Sequence, residues 1–188
     1  MKIFSPALSR LARFRYWHIE HWVNNPIAAQ REVLQDLITH GQYTQFGRKY
    51  QFANIFNIRT FKQTVPIHEY HDMKPYIDQV MEGEDSVLWN TPVKWFAKSS
   101  GTTSEKSKFI PLTEESIQDN HFQGSKDVLA LYYKAMPESD LLTGKGLIIG
   151  GSHQVHPIKE DIQYGDLSAV LLQNAPFWAG LIRTPELS

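Results

Sequence analysis

The chain has 188 residues with 19 basic and 20 acidic side chains, which gives a formal net charge of −1. This balance excludes bulk electrostatic attraction to nucleic acid or to an anionic membrane surface. There is no cysteine, so neither a disulfide framework nor a thiolate zinc site is possible.

The first half of the chain has the pattern of amphipathic helices. Apolar residues at three- and four-residue steps predict a helix over about 6–23. Asn25 and Pro26 suit the N-cap and first position of a second helix, which Gly41 ends. Three later segments are interpreted as loop with short helix, as a helical turn, and as a helix closed by Gly83: residues 42–57, 60–63 and 68–81. The N-terminus lacks the apolar core of a signal peptide, and no stretch approaches the roughly 18 apolar residues of a membrane span. We therefore expect a soluble, cytoplasmic protein without a membrane partner.

The second half alternates strands and helices. Residues 93–97 and 109–112 are rich in aromatic and β-branched side chains and predict two strands. Pro111 in the second indicates a sheet edge or a strand end. Thr113 can cap a long helix that ends near Pro137. Residues 147–149 predict a strand buried on both faces, and a last helix begins at Asp166.

These elements predict an α/β protein in which N-terminal helices precede a mixed sheet with flanking helices. We expect residues 1–84 to be mainly helical. Residues 85–188 would form the α/β part, in a chain of a length typical of one domain.

The segment Ser99–Lys108, between the first two predicted strands, carries the chemistry. Its hydroxyl side chains and main-chain N–H groups can form a nest for phosphate oxygens, and Gly101 allows the backbone to approach a ligand closely. Lys106 and Lys108 add positive charge. The hydroxyl donors are Ser99, Ser100, Thr102, Thr103 and Ser104.

Composition alone leaves two interpretations of this segment open. It matches neither a Walker A loop nor a dinucleotide-binding fingerprint. A segment rich in serine, threonine and glycine is also typical of a solvated hairpin connection. No side chain in the sequence is assigned to a protein-bound metal.

The string Phe96–Thr103, followed by Lys106–Pro111, resembles the ATP-loop signature of the auxin-responsive acyl acid–amido synthetases, a family of adenylate-forming enzymes. Further segments agree in order and spacing, so that the resemblance covers the chain from about Arg31 onward: Thr44–Gly47, Val65–Ile67, Tyr76–Ile77, Gly83–Glu84 and Gly165–Ala169.

The resemblance implies a fold, an activity and a set of site residues. The chain would be the incomplete N-terminal ATP- and acyl-binding domain of a longer enzyme whose C-terminal part is missing. It would bind ATP and Mg²⁺, adenylate a small carboxylic acid and pass the acyl group to an amino acid; a thiol acceptor, or a non-catalytic nucleotide-binding role, are the alternatives. Residues 99–104 would hold the phosphates. The single lysine of the wider adenylate-forming superfamily aligns with Ser107, between Lys106 and Lys108, so either lysine can take the catalytic role.

Two histidines follow the predicted buried strand. His153 and His156 lie in the segment Gly151–Pro157, interpreted as a loop, where they can line an acyl pocket or approach a metal. Two histidines without a nearby carboxylate or cysteine are weak evidence for a metal site.

Overall fold

The computed structural model describes residues 4–99, 107–141, 146–147, 154–176 and 183–184, with side chains at 14–99, 107–141, 146–147 and 154–176. Its first half is helical, as predicted. The helices are α1 (Phe4–Asn24), α2 (Pro26–Gly41), α3 (Gln45–Lys49), α4 (Ile58–Thr64) and α5 (Tyr70–Met81), with a 3₁₀ turn at Phe52–Asn54. Gly83 ends α5 with a φ of 86°, a conformation that favours glycine. None of the helices in the described ranges is long and apolar enough to cross a membrane.

Asn25 and Pro26 hold the predicted N-cap and first positions of α2, without a capping bond from the Asn25 side chain. Its amide instead donates to the carbonyl of His21 at 3.0 Å. Asn25 therefore completes the end of α1, and Pro26 starts α2 without needing a hydrogen bond at its nitrogen.

The junction between α2 and α3 is fixed by Thr44, which is 1% exposed. Its hydroxyl donates to the Gly41 carbonyl at 2.7 Å and accepts from the Gly47 N–H at 2.9 Å. The start of α3 is in turn bonded to the segment before the sheet, because the N–H of Gln45 donates to the Ser86 carbonyl at 2.8 Å. These bonds attach the helical half to the strands.

The sheet has four strands in the order β2-β1-β5-β4. They are β1 (Trp95–Lys98), β2 (Phe109–Leu112), β4 (Val155–Lys159) and β5 (Ile162–Gly165), while β3 (Gly146–Leu147) and β6 (Arg183–Thr184) form a separate parallel pair. β1 pairs with β2 antiparallel and with β5 parallel, and β4 pairs with β5 antiparallel. The predicted mixed sheet and the edge position of the Pro111 strand are confirmed.

Both faces of the sheet are covered. Because side chains alternate along a strand, Phe96 and Ala97 point to opposite faces. Phe96 packs with Ile77 and Val80 of α5, and Ala97 packs with Ile117 and Val170 from two helices that follow β2 and β5. The sheet thus forms the middle layer of an α/β domain.

The long helix after β2 has a local irregularity. Thr113 caps it as predicted, since its hydroxyl accepts from the Ser116 N–H at 3.0 Å. Residues Ser116–Phe122 form a π segment and Gln123–Ala135 form α6. The α6 side chain of Asp127 accepts from Arg15 of α1, with 2.9 Å between Nη2 and Oδ2.

Two predictions for the C-terminal third are corrected. Leu147 is 69% exposed and pairs only within the β3–β6 ribbon, so the described part of the predicted strand 147–149 is not buried; residues 148–149 lie outside the described ranges. Residues 155–157, interpreted as loop, belong to β4. The next strand, β5, was not predicted. The last helix, α7 (Leu167–Gln173), follows Asp166 as expected.

Candidate functional site

The candidate site is the connection of the β1–β2 hairpin. Its ends are closed by two hydrogen bonds: the Ser99 N–H donates to the Lys108 carbonyl at 2.9 Å, and the Lys108 N–H donates to the Ser99 hydroxyl oxygen at 3.3 Å. We call this pair the hairpin base. Of the predicted site residues, the structure therefore brings Ser99 and Lys108 together.

The other predicted site residues lie outside the described ranges. These are the phosphate-site residues Ser100, Gly101, Thr102, Thr103 and Ser104 and the lysine Lys106. Ser107 is described and half-buried. The choice between Lys106 and Lys108 as the phosphate-contacting lysine remains a prediction.

The hairpin base is held from α5 by Tyr70. The Phe109 N–H donates to the Tyr70 hydroxyl oxygen at 2.9 Å, and that hydroxyl lies 3.3 Å from the Phe109 carbonyl, to which it donates. The Lys108 Nζ is 5.6 Å from the centroid of the Tyr70 ring, within the range of a cation–π attraction. No local sequence pattern marks Tyr70, because only the fold places the start of α5 beside β2.

A second tyrosine lies beside the hairpin on β5. The Tyr164 ring meets Phe109 edge-on, with centroids 5.2 Å apart, and Lys98 Nζ is 5.7 Å from the Tyr164 centroid. The His156 ring is 5.1 Å from the same tyrosine. Sequence reasoning missed Tyr164; the alternation of Ile162-Gln163-Tyr164-Gly165 was the available signal.

The histidine prediction is corrected in part. His156 is in β4 and exposed, so it is a strand residue that packs against Tyr164. His153 lies outside the described ranges. Lining of an acyl pocket by either histidine stays a prediction.

The hairpin connection leaves the sheet at the carboxyl end of β1. Ala97 is paired with Gly165 in the parallel β1–β5 ladder, so the ends of both strands meet at one edge. A side chain at Gly165 has no room, because a Cβ there would be 2.9 Å from the Gln154 carbonyl oxygen and 3.2 Å from Val155 Cγ1. The carboxyl edge of parallel strands is where α/β sheets commonly bind ligands.

On the far side of β2, a carboxylate is held ionised at the start of the long helix. Burial alone would raise the pKa of Glu115. Hydrogen bonds from its own backbone N–H and from the hydroxyls of Thr91 and Thr113 outweigh this effect and lower the pKa below its usual value. The Thr91 hydroxyl is 3.1 Å from Glu115 Oε1. The lowered pKa favours the ionised carboxylate, which accepts these hydrogen bonds.

Comparison with known proteins gives the family. The GH3 family N-terminal domain matches residues 15–186. The chain is 30% identical over 135 residues to the indole-3-acetic acid-amido synthetase GH3.2 of Arabidopsis thaliana, covering 69% of this chain and 23% of that protein. It is 28% identical over 149 residues to the jasmonoyl–L-amino acid synthetase JAR6 of Nicotiana attenuata, covering 79% of this chain and 25% of that protein.

A solved structure shares the fold. The chain is similar to the AtGH3.15 acyl acid amido synthetase in complex with 2,4-DB, with a TM-score of 0.75 and 24% identity, over 87% of this chain and 28% of that one. The chain thus spans about a quarter of the length of these relatives. The resemblance to acyl acid–amido synthetases seen in the motifs is confirmed, and the chain belongs to the GH3 family.

Proposed function

We propose that this chain is the N-terminal, ATP- and acid-binding part of an acyl acid–amido synthetase. Residues 1–188 would form an incomplete domain, in which the helices of residues 1–84 support the α/β part of residues 85–188. The supporting observation is the hairpin base, which holds the two ends of a hydroxyl-rich segment together at the carboxyl edge of β1. A cytoplasmic location remains a prediction from the sequence.

The proposed reaction has two steps. A carboxylate oxygen of the acid attacks the α-phosphorus of ATP, the bond to the β-phosphate oxygen breaks, and pyrophosphate leaves, which gives an acyl-AMP mixed anhydride. The amine of an amino acid then attacks the acyl carbon, loses a proton and expels AMP, which gives an amide. Activation is needed because oxide is a very poor leaving group, whereas AMP is a good one.

This chain would contribute mainly by neutralising the charge of the phosphates and by positioning the reactants. The first step brings an anionic acid against an anionic triphosphate, so donors fixed before reaction lower the barrier most. The hydroxyls of residues 99–104 and the main-chain N–H groups would hold phosphate oxygens, with Lys106 or Lys108 supplying positive charge. Mg²⁺ bound to the phosphates would share their negative charge.

The described residues fit such a ligand. The Ser99 hydroxyl lies at the start of the connection, where its oxygen accepts from the Lys108 N–H at 3.3 Å. Lys98 and Lys108 lie at the ends of the paired strands, over Tyr164 and Tyr70 respectively. Two cations at the base of a hydroxyl-rich loop favour an anionic occupant.

Acid-dependent exchange of labelled pyrophosphate into ATP tests the proposal. The protein that contains this chain together with its C-terminal remainder should catalyse exchange only with a suitable acid present. The double variant Thr102→Ala, Thr103→Ala should abolish exchange. The control Thr39→Ala removes an exposed hydroxyl from α2, where it donates to the Gln35 carbonyl at 2.7 Å, and should leave exchange unchanged. Full exchange in the double variant would remove the loop from the mechanism.

The acceptor is tested by product analysis. Mass spectrometry after incubation with ATP, an acid and a mixture of amino acids should detect an amide, whereas a thioester with coenzyme A would favour the thioester-ligase alternative. Nucleotide binding without acid-dependent exchange would favour a non-catalytic module.

A further inference from the structure

We propose that Tyr70 is the positioning residue of the phosphate-binding hairpin: it fixes the start of β2 and thereby the place of Lys108 relative to bound ATP. This inference rests on the proposed function, since it concerns the same loop. Tyr70 acts through the backbone of Phe109 and through Lys108, and we assign it no contact with substrate.

The outer edge of β2 is open. Because β2 is an outer strand of the sheet, half of its backbone N–H and C=O groups have no neighbouring strand to pair with. At Phe109 the Tyr70 hydroxyl serves both groups, with distances of 2.9 Å to the nitrogen and 3.3 Å to the oxygen. A single phenol oxygen thus does at this position what a further strand would do.

Tyr70 contacts the chain at the point where the hairpin connection ends. Phe109 is the first residue of β2 and follows Lys108 directly. On the inner side, the Ser99–Lys108 bonds join it to β1, and on the outer side, Tyr70 holds it to α5. The Phe109 ring also contacts Tyr164 of β5, with centroids 5.2 Å apart. The strand is therefore held in three directions where the connection ends.

Tyr70 is itself held in place by α5. It is the first residue of α5, and the Asp72 side chain accepts from the Glu69 N–H at 2.9 Å, which caps the helix start. The Tyr70 ring packs against the core that contains Ile77 and Val80 of the same helix. A rigid helix end transmits its position to the hairpin better than a loop residue would.

The Tyr70 ring also contacts the side chain of Lys108. Lys108 Nζ lies 5.6 Å from the centroid of the Tyr70 ring, so the ring supplies an attractive surface for the ammonium group. The hydroxyl sets the backbone next to Lys108, and the ring limits where its side chain extends. Loss of the hydroxyl alone should therefore disturb ATP binding more than acid binding.

The test is Tyr70→Phe in the full-length protein, with Tyr76→Phe as matched control. Tyr76 is on the same helix, and its hydroxyl accepts from Lys49 Nζ at 2.7 Å rather than from the hairpin. In acid-dependent pyrophosphate exchange, Tyr70→Phe should raise the KM for ATP about fivefold to tenfold, the factor expected for one or two lost hydrogen bonds. The KM for the acid and kcat should stay within about twofold. Hydrogen exchange of the Phe109 amide should accelerate by a similar factor.

A double-mutant cycle with Lys108→Ala tests the route of the effect. If Tyr70 acts through Lys108, the variant that carries both substitutions should have the same KM for ATP as Lys108→Ala alone. Fully additive effects would overturn this route.

Equal KM values for ATP in wild type and Tyr70→Phe would overturn the inference while leaving the proposed function intact. If Tyr70→Phe lowers kcat, raises the KM for both ATP and the acid, and lowers the melting temperature, the role of Tyr70 is purely structural. A wild-type protein that neither binds ATP nor exchanges pyrophosphate would refute the proposed function itself, and the inference with it.

Discussion

Gly47 is the position in the described chain where one added methyl group should do most damage. A Cβ at Gly47 would lie 2.0 Å from the carbonyl oxygen of Gly41 and 2.8 Å from its carbonyl carbon. Carbon–oxygen contacts of this kind are normally about 3.3 Å or longer. The variant Gly47→Ala must therefore displace the last residue of α2 by about 1 Å or open the α2–α3 junction.

The contacts at Gly41 allow the loss of stability in Gly47→Ala to be worked out. The Gly41 carbonyl accepts from the Thr44 N–H at 3.0 Å and from the Thr44 hydroxyl at 2.7 Å, and both bonds would be distorted. Two ordinary hydrogen bonds contribute about 2 kcal/mol, and overpacking adds about 1–3 kcal/mol. Replacing glycine in a helix offsets up to about 1 kcal/mol. We expect Gly47→Ala to lower the free energy of unfolding by about 2–4 kcal/mol.

Urea unfolding followed by far-ultraviolet circular dichroism measures this change. The control is Gly124→Ala in α6, where a Cβ would have no heavy atom within 4 Å. That substitution should raise the free energy of unfolding by up to about 1 kcal/mol. A Gly47→Ala protein within about 0.5 kcal/mol of wild type would refute the reasoning, since the close approach of α2 and α3 would then not constrain residue 47.

Three further predictions concern single contacts. Thr44→Val leaves the buried Gly47 N–H without its acceptor and should cost about 1–3 kcal/mol in urea unfolding, whereas a neutral result would mean that the N–H finds another partner. Gly165→Ala forces a Cβ to 2.9 Å from the Gln154 carbonyl and should cost about 1–3 kcal/mol, read from the same unfolding curves. Asp127→Asn should cost about 1–2 kcal/mol near pH 7, because Arg15 hydrogen-bonds to Asp127 and lowers its pKa, with burial opposing. A carboxyl with a lowered folded-state pKa stabilises above its unfolded pKa and loses this effect as pH falls through the folded value, so the difference between wild type and Asp127→Asn should shrink in acid; a constant difference from neutral to acid pH would contradict it.

Local patterns were sufficient for the helices and for the hairpin strands. Three- and four-residue apolar spacing predicted α1 and α2, because an amphipathic helix encodes its buried face in its own sequence. Thr113 and Gly83 marked helix ends correctly, since capping and left-handed turns are decided by one or two residues. Short aromatic runs around the polar connection predicted β1 and β2.

Strand pairing between distant segments could not be predicted from local patterns. β4 and β5 are short, and the strand that pairs with β5 on its other side, β1, is more than fifty residues away in sequence. Leu147 was expected in a buried strand because it is apolar, but apolar character does not say which strand will pair beside it. Asn25 was predicted correctly as the N-cap residue of α2, but the bond that its side chain donates to the His21 carbonyl could not be predicted from local sequence.

The sequence by itself determined the candidate loop, its charge and its family, because hydroxyl and lysine chemistry and motif order are properties of the chain as written. The tertiary structure alone decided what surrounds that loop. Tyr70 and Tyr164 reach the hairpin from α5 and β5, 39 residues before Phe109 in one case and 55 after it in the other. Contacts between such distant segments follow from how the helices and the sheet pack, and no local pattern specifies them.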